Sequence, residues 1–251
     1  MGLLKNRVAL VTGAGGGLGR AIAHRLQSEG ATGIALDLDE DAVAQAAPSG
    51  WISAKVDVRS AAELQAAVAK VREQFGRLDI VVANAGLVPP WRETETIDFD
   101  EWDRVFAVNV RGVAATIKAV VPAMKKDGGS IIALGSLNSW KAHGRQCLYS
   151  ATKHAVLGIV RATALDLGRY GIRVNAVGPG AIATEALITR MTTRAAEGGL
   201  SVEDALRQNA EQSALQRMAT DEDVANSVLF LASDLSAAQT GLLLPVDAGI
   251  A

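Results

Sequence analysis

Seven short apolar runs, at residues 7–12, 33–37, 51–56, 78–83, 130–135, 172–177 and 242–246, set the rhythm of the chain. Each has strand length and none alternates with polar residues, so the pattern predicts strands covered on both faces. Helical spacings lie between them. Leu64, Val68, Val71 and Phe75 recur at four, three and four residues behind Ser60-Ala61-Ala62-Glu63, which spells a capping box. Thr220-Asp221-Glu222-Asp223 opens a helix through Val224, Val228 and Leu231, and Ser201-Val202-Glu203-Asp204 opens another. A longer helical stripe joins Trp102, Val105, Phe106, Val113, Ile117 and Val120. This alternation predicts an α/β fold over residues 1–251: a single doubly wound Rossmann-type domain, its seven-stranded, mostly parallel sheet covered by helices on both faces. Residues 181–219 break the rhythm, being helical and polar with no strand, and are expected to form a lid over a substrate.

Composition narrows the function classes. Of 251 residues, 49% are hydrophobic, which excludes disorder. With 25 basic and 27 acidic side chains, the net charge of −2 offers no electrostatic footprint for nucleic acid. The single cysteine, Cys147, excludes an internal disulfide framework and any multi-cysteine metal site. No apolar run approaches the ~20 residues of a membrane-spanning helix. Met1-Gly2-Leu3-Leu4-Lys5-Asn6 spells neither a signal peptide nor a myristoylation site. A cytoplasmic protein without nucleic-acid or membrane partners is therefore expected. His24, His143 and His154 lack further ligands at coordinating spacing, so no catalytic metal is expected.

The first strand runs into Thr12-Gly13-Ala14-Gly15-Gly16-Gly17-Leu18-Gly19 and then an apolar helical pattern. A strand, a glycine turn and a helix let a pyrophosphate approach bare backbone at the positive end of the helix. Asp37 ends the next apolar run, 18 residues beyond Gly19. A carboxylate there accepts hydrogen bonds from ribose hydroxyls and repels a 2′-phosphate, which favours NAD over NADP. No Lys or Arg stands at 14–16 or at Leu38 to offset that repulsion.

Gly13, Gly17 and Gly19 follow T-G-x-x-x-G-x-G, and here the chain resembles the short-chain dehydrogenase/reductase family over essentially its whole length. Asn84-Ala85-Gly86 matches the family's motif after the fourth strand. Asp57-Val58 matches the pair that touches adenine, and Pro179-Gly180 with Ile182 and Thr184 matches the turn near the nicotinamide. The resemblance implies that these residues, with Leu18, bind the dinucleotide.

Tyr149-Ser150-Ala151-Thr152-Lys153 sets a phenol and an ammonium one helical turn apart. A cation at that spacing is expected to lower the phenol's pKa from about 10, readying it as a general base towards an alcohol. Ser136, thirteen residues earlier and just past a strand, stands where a hydroxyl can hold the substrate oxygen. Resemblance carries over the same trio: Ser136 polarises, Tyr149 transfers the proton, and Lys153 binds the nicotinamide ribose while tuning the tyrosine. Asn109 lies on the buried face of its helix, where an unpaired amide is costly. A structural hydrogen bond explains it as well as the family's role for the matching asparagine, which holds a water joining the lysine to a proton relay.

Lys141, His143, Arg145 and Gln146 make the 137–148 segment rich in donors, and Trp91-Arg92 adds another. Arg92, Arg145 and Gln146 are therefore candidates to bind a small polar substrate: a sugar, polyol, hydroxy acid or sulfonate. The competing expectation is that these side chains face water or a neighbouring subunit. Two other functions stay open: an NADPH-dependent ketoreductase, which Asp37 argues against, and a nucleotide-binding regulator without chemistry, which the intact trio argues against. Family members are usually tetramers or dimers. Ala248, where a second glycine is usual, leaves the interface detail open.

Overall fold

The computed structural model describes residues 2–250. Its seven strands are β1 (Val8–Thr12), β2 (Thr32–Asp37), β3 (Ile52–Lys55), β4 (Ile80–Ala83), β5 (Gly129–Leu134), β6 (Ile172–Pro179) and β7 (Leu243–Val246). They form one sheet in the order β3-β2-β1-β4-β5-β6-β7, and every neighbouring pair is parallel. The helices are α1 (Gly17–Ser28), α2 (Glu40–Ala46), α3 (Ala61–Phe75), α4 (Phe99–Phe106), α5 (Val113–Met124), α6 (Cys147–Leu167), α7 (Glu185–Ala196), α8 (Val202–Glu211) and α9 (Asp221–Ala232).

The lack of polar alternation in the strands has a direct cause. Leu10, Ile34, Val81, Ile131 and Val174 point to the layer of α3, α5 and α6. Their neighbours Val11, Ala35, Val82 and Ile132 point to the layer holding α1 and α9. Both faces are dry, so both must be apolar. Each fully buried Leu, Ile or Val among them contributes about 1.5–3 kcal/mol.

Helix starts follow the spelled caps with one change. Thr220 and Asp223 form the reciprocal box at α9, with Asp223 N donating to Thr220 Oγ1 at 3.1 Å and Thr220 N to Asp223 Oδ2 at 2.9 Å. At α3 only half of the box forms. Ser60 Oγ accepts from Glu63 N at 3.3 Å, but the Glu63 carboxylate takes Asp57 N at 2.8 Å, because Ser60 N is already bonded to Asp57 O.

The long apolar stripe corrects two expectations. Between α4 and α5 the chain makes six residues of π-helix (Ala107–Gly112). Val105, Asn109, Val113 and Ile117 stay on the buried side, whereas Trp102 and Phe106 are left half-exposed with their rings stacked 5.1 Å apart. Helix Phe99–Met124 is also long and apolar enough, by length and composition, to cross a membrane, contrary to the count of uninterrupted apolar runs. Here its inner face, through Val105, Val113, Ile117, Val120 and Met124, packs into the core beside the sheet. The strandless stretch after β6 holds α7 and α8, tied back by the isolated bridge between Ile182 and Ala219.

Candidate active site

Sheet order reverses between β1 and β4, and a cleft of about 870 Å³ opens at the carboxyl ends of the strands there. Every residue expected to hold the dinucleotide lines it, from Gly13 to Thr184, together with Ser136, Tyr149, Lys153 and Gln146.

The glycine turn fits an anionic ligand by its own construction. A Cβ on Gly16 or Gly17 would meet nothing within 4 Å, so these positions face open space, and Gly17 has φ +47°. A Cβ on Gly13 would lie 2.8 Å from Ala85 Cα, and one on Gly19 would collide with the Gly13 carbonyl. The turn is thus packed from below and bare above. Helices α2, α3 and α4 each carry a side-chain cap and acidic residues in the first turn; α1 carries neither. Its amino end therefore offers unscreened N–H groups to a phosphate.

Second-layer hydrogen bonds hold the turn in place. Asn84 Nδ2 donates to the carbonyls of Thr12 and Gly13, both at 2.9 Å, and Thr12 Oγ1 accepts from Asn84 N and Ala85 N. Asp37 accepts from Gly15 N at 2.8 Å and from Asp39 N at 3.2 Å. Asp57 is bonded to Arg59, whose guanidinium holds its carboxyl below the usual carboxylate range.

Tyr149 and Lys153 sit in the first two turns of α6, and Ser136 stands two residues past the end of β5. Lys153 is 7% exposed; its ammonium donates to the Leu134 carbonyl at 2.8 Å and lies 5.6 Å from the Tyr149 ring centre. Burial pulls its pKa down to about 8. Tyr149 departs from the sequence expectation. Its pKa is raised, because burial outweighs the lowering by hydrogen bonding with Ser136 and by the positive charge of Arg190. The cation that lowers it here is Arg190 instead of Lys153.

Asn109 does not line the cleft. Its amide brackets Leu87, accepting from Leu87 N at 2.7 Å and donating to Leu87 O at 2.8 Å, and reaches Thr152 Oγ1 at 3.4 Å. The structural hydrogen bond is thus present, and it joins the loop after β4 to α6.

Two candidate substrate residues are not brought into the cleft. Arg92 Nε is bonded to Glu101 at 2.9 Å and Arg145 Nε to Glu93 at 2.8 Å, beside a smaller side pocket. Partners so placed were invisible in a donor-rich stretch read by itself. Sequence reasoning missed Arg190, which lines the cleft from α7. The signal was available: Leu187 and Met191 are one turn apart and buried, and Arg190 shares their face.

Comparison with known proteins agrees with this geometry. A family model described as enoyl-(acyl carrier protein) reductase matches residues 13–251. The chain is 36% identical to a short chain dehydrogenase/reductase of Aspergillus oryzae, over 98% of this chain and 95% of that one. It is 34% identical to levodione reductase of Leifsonia aquatica, over 97% and 94%. The crystal structure of carveol dehydrogenase from Mycobacterium avium in complex with NAD superposes with a TM-score of 0.93 at 35% identity, covering 99% of both chains.

Proposed function

This chain belongs to the short-chain dehydrogenase/reductase family, and on that premise we propose that it is an NAD-dependent dehydrogenase interconverting a small secondary alcohol and its ketone. Its class is that of alcohol dehydrogenases and ketone reductases acting on CH–OH groups. One observation carries the finer reading: Ser136, Tyr149 and Lys153 share one cleft with an uncapped, glycine-rich helix start.

The dinucleotide, when bound, supplies the hydride chemistry. Gly13, Gly17 and Gly19 would hold its pyrophosphate, Asp37 its adenosine ribose, Asp57 and Val58 its adenine, and Pro179 to Thr184 its nicotinamide end. Preference for NAD follows from charge. Asp37 faces the cleft beside the neutral Leu38, and Arg59, which also lines the cleft, is already tied to Asp57.

Ser136 Oγ donates a hydrogen bond to the substrate oxygen and favours its negatively charged form. Tyr149 Oη takes the hydroxyl proton as the alcohol becomes a ketone and returns it in the reverse direction. Lys153 fixes the floor of the site through Leu134 and would hold the nicotinamide ribose. Helices α7 and α8 act as the lid, and Leu137, Leu187 and Met191 give the substrate body an apolar wall. The half-exposed rings of Trp102 and Phe106, with Phe99 at 72% exposure, supply part of a homodimer or homotetramer contact.

The test is reduction of NAD and of NADP by a panel of small secondary alcohols, followed through NADH absorbance. Turnover with NAD and little with NADP supports the reading. Tight NAD binding without turnover of any alcohol or ketone contradicts it.

A further inference from the structure

Arg190 stands out among the cations of the cleft by what it lacks. Its Nε is buried and has no hydrogen-bond partner among the described residues. By contrast, Arg59 and Arg104, which line the same cleft, each face a carboxylate. A guanidinium nitrogen withdrawn from water without a partner is costly, since the lost hydration has no replacement. Its surroundings add to the cost: burial pulls Arg190 below the usual arginine value, and the first turn of its own face is apolar, with Leu187 and Met191. Arg190 lines the cleft, so a ligand entering there can supply a partner to its guanidinium.

A second donor is aimed at the same space. Asn138, 3% exposed, accepts from His143 Nδ1 at 2.8 Å and donates to Gln146 Oε1 at 2.7 Å. With its oxygen held by Asn138, Gln146 has its amide N–H groups left to offer a ligand, and it lines the cleft. The site thus offers a planar fork, an amide donor and apolar walls, all lining the cleft with Tyr149.

We propose that Arg190, with Gln146 in the same cleft, anchors a carboxylate on the substrate, so that the molecule oxidised is a hydroxy acid with a short apolar body and the product an oxo acid. The inference rests on the dehydrogenase reading above. The planar guanidinium favours a carboxylate because two parallel N–H···O bonds match its geometry. Arg190 also replaces Arg92 and Arg145 in that role, since both already hold glutamates.

The experiment has two arms. In the first, wild type, Arg190→Gln and Arg190→Lys turn over 3-hydroxybutanoate, 4-hydroxypentanoate and 3-hydroxyhexanoate, each against its primary amide. Wild type should prefer at least one acid to its amide by about tenfold or more in kcat/KM, the size expected of a charge-assisted pair. That ratio should fall towards one in Arg190→Gln, chiefly through KM, with Arg190→Lys between. Equal acid and amide rates in wild type, a ratio unchanged in Arg190→Gln, or a tenfold loss of NAD affinity with the ratio intact would each overturn it. The second arm needs no turnover: calorimetric titration of pentanoate and pentanamide into wild type and Arg190→Gln, with circular dichroism confirming that both are folded. Pentanoate should bind wild type and lose its advantage in the variant; absent or Arg190-independent binding overturns the proposal. Failure of every alcohol in the first arm, with pentanoate still bound through Arg190, contradicts the dehydrogenase reading and leaves the anchor standing.

Discussion

The ammonium of Lys153 lies 5.6 Å from the centre of the Tyr149 ring and donates a hydrogen bond to the Leu134 carbonyl at 2.8 Å. The two side chains share a helix face, as their spacing requires, yet in the protein alone the amine serves the sheet more than the phenol. Burial draws Lys153 down to about 8 and pushes Tyr149 up, so both groups are held towards their neutral forms.

A stability prediction follows from the lysine. Between about 8 and the unfolded value of 10.5, the unfolded chain binds more protons at this position than the folded one. Stability therefore rises with pH through this window and is lowest, on this group's account, below pH 8. Thermal melts of the cofactor-free protein from pH 8 to 10 should show wild type gaining relative to Lys153→Met. A constant difference would contradict the assignment. Above pH 10 the raised Tyr149 works in the opposite direction and ends the window.

Cofactor choice is tested at Asp37 and Leu38. Replacing them by serine and arginine removes the charge facing a 2′-phosphate and adds a cation. The NADP-to-NAD ratio of kcat/KM should rise by about a hundredfold or more, a change of roughly 3 kcal/mol. An unchanged ratio would show that another group reads the ribose.

Gly19→Ala probes the packed underside of the glycine turn. Its methyl would collide with the Gly13 carbonyl and lie 2.6 Å from Asn84 Nδ2. The turn must shift, so NAD affinity should fall at least about tenfold, alongside a stability loss of about 1–3 kcal/mol. Gly16→Ala, whose methyl meets no atom of the protein, should leave stability nearly intact while still weakening the dinucleotide. Equal stability losses in the two variants would contradict this division of the turn.

At α9, Thr220→Ala removes the cap that accepts from Asp223 N and should cost about 1 kcal/mol by denaturant unfolding. Arg217, together with Thr220 N, holds Asp223 at about 2. That contribution is complete above the unfolded value of 3.8 and is lost as pH falls towards 2, so Asp223→Asn should differ from wild type at pH 5 and converge with it near pH 2.

The strands were legible because both sheet faces are dry, which leaves uninterrupted apolar runs; the glycine turn was legible because its positions admit no side chain below and a ligand above. Asn109 was placed on a buried face by spacing alone, but not the π-helical turn that carries it, since nothing in Ala107–Gly112 marks an added residue per turn. Arg92 and Arg145 were misread because their glutamate partners, Glu101 and Glu93, are fixed by the fold and not by neighbourhood in the donor-rich segment. Arg190 stands 41 residues after Tyr149, and only the return of α7 over the sheet edge brings its charge to the phenol.

The most direct test of the whole account is Tyr149→Phe, compared with wild type for NADH formation across pH and for NAD binding by fluorescence titration. Loss of the aromatic hydroxyl should lower kcat by about 10³ or more and abolish the rise of rate with pH, while NAD affinity stays within about threefold. A variant that still oxidises its alcohol at a comparable rate, with the same pH profile, would contradict the assignment of proton transfer to this residue.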